Sequence, residues 1–227
     1  MNPPASSPDH PPVSQGLPQP PELLALIQAA VPDARLEVVD NPSPSGPASL
    51  VVDPDHALEV ARFLQREPAL QFDYCSNVTG VDWLDRDVPQ QVRRTEAVDG
   101  TDREVVETVQ VHQPGFIEVV YHLYSMRLRH GPVVLRQRTR NRVEQNEVAS
   151  LTPAYRSAEF QEREVFDLFG VRFRGHPDLR RLLMWEGFAD HPMRKDYVEP
   201  DDYEYEPTPH DEVVTKSRRH YPLPGQP

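Results

Sequence analysis

One stretch, Ala158 to Tyr197, constrains this chain more than any other: AEFQEREVFDLFGVRFRGHPDLRRLLMWEGFADHPMRKDY. Its first third has helical spacing. Ala158, Val165, Leu168 and Phe169 form an apolar stripe with Phe166 beside it. Ser157 is the expected N-cap and Gly170 the expected left-handed residue that closes the helix. Glu159, Arg163 and Asp167 are four apart, which gives Arg163 a carboxylate one turn to either side. Past a short extended piece at Val171 to Phe173 come two His-Pro pairs, His176-Pro177 and His191-Pro192. Each proline holds the preceding histidine in extended geometry, so this part is expected to be a shaped, non-helical ribbon.

Charge in the stretch cancels. With Arg156 just upstream, eight basic residues meet eight acids, whereas the whole chain carries −12. A neutral segment dense in both signs predicts matched ion pairs. Phe160, Phe166, Phe169, Phe173, Trp185, Phe188 and Tyr197 are interspersed with arginines, the composition of interface centres.

EREVFDLFGVRFRGHPDLRRLL followed by HPMRKDY resembles the signature of the 30 kDa subunit family, the C subunit of the respiratory NADH:quinone oxidoreductase, complex I. Weaker agreement runs upstream through Val78-Thr79-Gly80-Val81-Asp82 and Glu118 to Leu123. The departures are Phe160 for the usual Trp, Met193 for Leu and Asp190 where Gly is common. The resemblance implies a non-catalytic, cofactor-free structural subunit of the peripheral arm, on the cytoplasmic face of the cell membrane. FMN and iron–sulfur clusters would sit in partner subunits. The D, B and I subunits of the complex would be the neighbours, and the D subunit, which helps to build the quinone site, would be the docking surface. Carried onto this sequence, the signature residues are Glu162, Arg163, Glu164, Asp167, Gly170, His176, Arg180, Arg181, His191, Arg194, Lys195 and Asp196. Of these, His176, Arg180, His191, Arg194 and Lys195 are expected to carry the contact with the D subunit. Two other readings stay open: the same module in a membrane-bound hydrogenase or a variant with another electron donor, and a stand-alone metal-dependent hydrolase.

The residues themselves narrow the chemistry. A cluster takes about four thiolates, and the chain has one cysteine, Cys75. That count also excludes an internal disulfide framework. Without basic neighbours in sequence, Cys75 reads as a small core residue. There is no GxGxxG, no Walker A loop, no HExxH and no GxSxG. A metal site would need His176 and His191 to converge with Glu162, Glu164 or Asp167. The histidines are fifteen residues apart, and Glu162 and Glu164 point away from each other on a helix. The acidic balance argues against nucleic acid. No run approaches the ~18–20 apolar residues of a membrane span, and a secretory n-region is missing.

The expected fold is α+β: one domain over residues 22–197, with a mixed β-sheet flanked by helices. Helices are expected over Glu22 to Val31 and from Pro54, capped by Asp53, to Glu67. Strands are expected at Leu36 to Asp40, Leu50 to Val52, Phe72 to Val78, Phe116 to Tyr124 and Pro132 to Thr139. A Pro/Ser/Gly turn at Asn41 to Pro47 joins the first two, and His122 falls on a polar sheet face. Residues 82–112 read as an inserted surface hairpin or loop. Proline, at 26 residues about twice the usual ~5%, gathers at the ends. Residues 1–21 hold eight prolines and read as a disordered or extended arm. Residues 198–227 read as an acidic, Pro-rich extension, with seven acids and no Lys or Arg over Glu199 to Glu212, suited to a basic groove of another subunit.

Overall fold

The computed structural model describes residues 18–41, 43, 46–98 and 101–198, with backbone alone for 94–98 and 101–105. The expected N-terminal arm up to Leu17, part of the 41–47 turn and the extension from Glu199 lie outside the described residues.

The chain builds a mixed five-stranded sheet in the order β1-β2-β7-β6-β3. β1 (Leu36–Val39) and β2 (Ser49–Val52) are antiparallel, and β2 runs parallel to β7 (His130–Arg138). β7 pairs antiparallel with β6 (Phe116–Ser125), and β6 with β3 (Tyr74–Trp83). Alternation sorts the strands into two faces. Leu50, Val52, Ile117, Val119, Tyr121, Leu123, Val133 and Leu135 enter one core with residues of all three helices. Glu118, His122, Arg136 and Arg138 line the wetter face. Buried Glu118 binds Arg138 Nε at 2.9 Å and an Arg136 guanidinium nitrogen at 3.2 Å there.

α1 (Pro20–Ala30) starts two residues before its expected boundary, because Pro20 and Pro21 suit the first helical positions and the Glu22 carboxylate accepts from Gln19 N–H. α2 (Ala57–Arg66) starts later than expected. Asp53 Oδ1 accepts from Asp55 and His56 N–H, and so caps a separate turn ahead of the helix. Ala57, Val60, Ala61 and Leu64 form the buried stripe of α2, as their spacing predicts. α3 (Glu159–Phe169) follows a single 3-10 turn at Arg156–Ala158. Ser157 is not its cap: the hydroxyl donates to Cys75 O at 2.8 Å. Gln161 Oε1 accepts from Val78 N–H at 2.8 Å, so the start of α3 protects the edge of β3. Gly170, at φ +75, closes the helix in the left-handed region.

Residues 86–113 form a hairpin of two thirteen-residue strands, β4 (Arg86–Val98) and β5 (Thr101–Gln113), paired with each other and not with the main sheet. β8 (Glu147–Ala149) and β9 (Arg172–Arg174) make a short parallel pair that sets the end of α3 beside the core. β9 matches the extended piece expected there; β8 has no sequence signal.

Candidate functional site

α3 turns two acids inward and gives them opposite electrostatic environments. Glu162 is fully buried. It accepts from Leu151 N–H at 2.7 Å and from the hydroxyls of Ser150 at 2.5 Å, Thr152 at 3.0 Å and Tyr121 at 3.0 Å. Burial pushes its carboxyl above the ordinary range, and these four donors offset only part of that push. Asp167, one and a half turns on, is equally buried. Its Oδ2 accepts the consecutive backbone N–H groups of Leu182, Leu183 and Met184 at 2.9, 2.7 and 2.8 Å, and its Oδ1 meets the Arg181 guanidinium at 2.7 Å. Burial opposes this charge too, but the three amides and the arginine outweigh it and hold the carboxyl below the ordinary carboxylate range.

Asp167 therefore pins a turn of the ribbon onto the helix, and other groups fasten the remainder. Buried Arg163 donates to the carbonyls of Arg180 and Arg181 at 3.2 Å each and lies 3.9 Å from Asp178. The expected pairing of Arg163 with Glu159 and Asp167 is replaced by these ribbon contacts, because a buried guanidinium has five donors to place and carbonyls satisfy them directly. His191 Nδ1 donates to Asp167 O at 3.0 Å. Arg194 Nε donates to Phe169 O at 2.7 Å, and Met193 N–H to Leu168 O. The carbonyls left unpaired at the end of α3 are thus capped by the ribbon. A Cβ on Gly170 would lie 2.5 Å from the His191 ring, so glycine is required there by contact as well as by φ.

His176 has a buried ring whose Nδ1 accepts from Asp178 N–H, which leaves Nε2–H to donate to Glu159 O at 3.0 Å. The end of the ribbon is tied to the sheet. Asp82 takes Arg142 in a bidentate pair at 2.7 Å for each bond and accepts from Lys195 N–H at 2.8 Å. Arg142 also binds Asp196 at 2.8 Å, while Lys195 Nζ stands over the Trp83 ring.

The signature residues thus divide by direction. Glu162, Arg163, Asp167, Gly170, His176, Arg181, His191 and Arg194 are used inside the chain. Glu164 is exposed, Lys195 and Asp196 face outward at the ribbon's end, and Arg180 pairs with exposed Asp178 at 2.9 Å. The two histidines each bind a different helix carbonyl, and among the described residues no three His, Cys, Asp or Glu side chains gather as metal ligands do. Sequence reasoning passed over Asp82, Arg142, Ser150, Thr152 and Tyr121 as members of this cluster. Asp82 and Tyr121 lie in the stretches of weaker family agreement; nothing local marks Arg142. Among its exposed charges the ribbon also shows apolar side chains, Leu183 at 60% exposed, Met193 at 56% and Trp185 at 40%, and on α3 Phe160 is 59% exposed. Arg163 stacks over Phe160 and Arg181 over Phe188.

A family model described as respiratory-chain NADH dehydrogenase, 30 Kd subunit, matches residues 50–203. This chain belongs to that family. Within it, the NADH-quinone oxidoreductase C subunit of Roseiflexus castenholzii is 38% identical over 176 residues, covering 78% of this chain and 82% of the relative. The NADH-quinone oxidoreductase C 2 subunit of Rhizobium meliloti is 37% identical over 150 residues, covering 66% of this chain and 65% of that relative. Among solved structures, a chain of the membrane-bound sulfane sulfur reductase, an archaeal respiratory membrane complex, shares the fold. The TM-score is 0.52 at 18% identity, over 91% of this chain and 93% of that one. The family match, residues 50–203, spans both buried acids of α3 and the ribbon turn that Asp167 holds. Cys75, in the same span, is fully buried, and burial pushes its thiol up to about 12, which leaves it an inert core residue.

Proposed function

We propose that this chain is a structural, cofactor-free subunit of the peripheral arm of a proton-translocating NADH:quinone oxidoreductase, and that its ribbon docks on the D subunit beside the quinone site. The B and I subunits complete its surroundings on the cytoplasmic side of the membrane, and FMN and iron–sulfur clusters belong to partner chains. One observation carries the reading. The turn at residues 182–184 has its backbone donors consumed by Asp167, yet Leu183, Trp185 and Met193 point away from the core. Fixing a loop from beneath while leaving its apolar side chains uncovered suits a preorganised interface, because the ordering entropy is met before the partner arrives. Arg180, Lys195 and Glu164 are exposed and supply the polar residues a rim of such an interface needs. Among the described residues no helix is long and apolar enough to cross a membrane, in keeping with attachment through other subunits.

The test is affinity purification of the tagged full chain from its own membranes. The wild-type chain should bring down the quinone-site and iron–sulfur subunits, and Leu183→Asp with Trp185→Ser should lose them while the purified chain keeps its unfolding midpoint. Turnover of NADH by the isolated chain, or a complete complex in cells lacking it, would overturn the proposal. A second reading, the same module in an assembly with another electron donor, draws support from the fold shared with a sulfane sulfur reductase chain. The subunits recovered in that purification separate the two.

A further inference from the structure

Six arginines with described side chains are buried or half-buried: Arg136, Arg138, Arg142, Arg163, Arg181 and Arg194. Five of them meet a carboxylate of the chain within 4.0 Å: Glu118 takes Arg136 and Arg138, Asp82 and Asp196 take Arg142, Asp178 faces Arg163, and Asp167 takes Arg181. Arg194 alone of the six has no such partner among the described residues. Its Nε donates to Phe169 O at 2.7 Å, and its two Nη nitrogens find no acceptor in the described chain. Neither Nη is closed off from solvent.

The acids that could turn to it are already taken. Asp82 is spent on Arg142 and on Lys195 N–H, Asp196 on Arg142, and Asp167 on Arg181 and three amides. Nor is Arg194 a freely hydrated surface cation. The guanidinium is fastened to the end of α3 through Nε and lies over Gly170, where a Cβ would come 2.7 Å from one Nη. Burial weakens its hold on the proton, and Asp196 and Asp82, out of contact, offset only part of that. A guanidinium drawn out of water without a counter-ion is an unrepaid desolvation cost, whereas a planar fork held in one place is preorganised for a carboxylate.

We propose that Arg194 receives an Asp or Glu carboxylate from the subunit that docks on the ribbon, in a bidentate pair made only in the assembly. This rests on the docking reading above and names the partner's chemistry at one point of it. The fork accepts two carboxylate oxygens in parallel, which a single backbone carbonyl cannot supply. Met193, next in sequence and exposed, helps to shut water out of the pair once it is covered, and that strengthens the attraction.

The test uses the complex purified from membranes that carry Arg194→Lys in the full chain. A carbodiimide condenses a lysine amine only with a carboxylate in contact with it, and peptide mass spectrometry locates the link. A link from position 194 to an Asp or Glu of another subunit is expected, and it should be absent from the wild-type complex. No link at 194, or links only to Asp82 or Asp196 of its own chain, would overturn the proposal. A second measurement needs no substitution: phenylglyoxal should modify Arg194 roughly tenfold more slowly in the wild-type complex than in the isolated chain, because a paired and covered guanidinium is withheld from the reagent. Equal rates would overturn the proposal as well. Recovery of the chain without other subunits would sink the docking reading itself, whereas an intact complex lacking the link sinks only the role given to Arg194.

Discussion

Glu162 and Asp167 stand five residues apart on one helix, both fully buried, and their carboxyls are moved in opposite directions. The difference lies in the donors. Asp167 faces a guanidinium and three amides; Glu162 faces hydroxyls and one amide, and stands 4.0 Å from His176 Nε2, which donates to Glu159 O. The pH consequences are opposite in sign. A carboxyl held low in the folded state contributes stability above its unfolded value near ~3.9 that is lost as pH falls through the folded value. Asp167→Asn should therefore cost about 3 kcal/mol at pH 7, with the gap to wild type narrowing below about pH 4 in urea unfolding. A carboxyl held high does the reverse: the folded state binds the extra proton, so stability declines as pH rises above about 4.3. Glu162→Gln should hence gain on wild type as pH rises from about 4 through the folded value, whereas Glu162→Leu, which strands four donors, should cost about 3 kcal/mol or more at the same pH. Helical spacing puts Glu162 beside the apolar stripe and Asp167 on the opposite side of α3, where only the ribbon buries it. It cannot show the sign of either shift, because the partners come from residues 10 to 41 positions away.

At the scale of elements, the helix and its ribbon behave as one unit and the hairpin as another. α3 ends at a left-handed glycine whose missing Cβ leaves room for His191 and Arg194, which with Met193 cap its last carbonyls. Gly170→Ala adds about 1 kcal/mol of backbone strain to that collision. The expected result is a loss of at least about 2 kcal/mol in denaturant unfolding, with proteolytic cutting appearing between residues 175 and 197 before the core unfolds. Among the described residues the hairpin's strands pair only with each other. Replacing residues 88–111 by a two-residue turn should leave the thermal midpoint within a few degrees of wild type, since it removes no core residue and shortens a loop, a change on the order of 1 kcal/mol. A drop of ten degrees or more would show that the hairpin supports the main sheet. The hairpin could be read from the sequence as an insertion, but its length and unbroken register could not: the tip is charged, and Pro114-Gly115 at its root reads as a strand end.

On the scale of the whole molecule, the ribbon converts internal satisfaction into an external surface. Arg194→Ala frees the Phe169 carbonyl and loosens the ribbon, so it should lower the amount of assembled complex more than the turnover of each complex that does assemble. Quantitative native gels alongside quinone-reduction assays would show this, and a fall in turnover at normal assembly would instead give Arg194 a direct part in the reaction. The sequence by itself determined the family, through the resemblance of residues 158–197 to a known signature; it also determined the α+β class, the stripe and stop of α3, the wetter sheet face and the non-helical ribbon, because each of these follows from spacing, proline and glycine within a few residues of one another. The charge sum of zero over residues 156–197 led to an expectation of matched ion pairs that holds in part: Arg181 pairs with Asp167 and Arg180 with Asp178, whereas Arg194 is spent on a carbonyl and Glu162 on hydroxyls. Which groups match was decided only by the tertiary structure. Arg163, Arg194 and His191 meet backbone carbonyls, Asp167 meets three amides, and Asp82 meets Arg142 across sixty positions. A buried charge takes whichever donor or acceptor the fold brings within about 3 Å, and that proximity is a property of the packed chain rather than of any local segment.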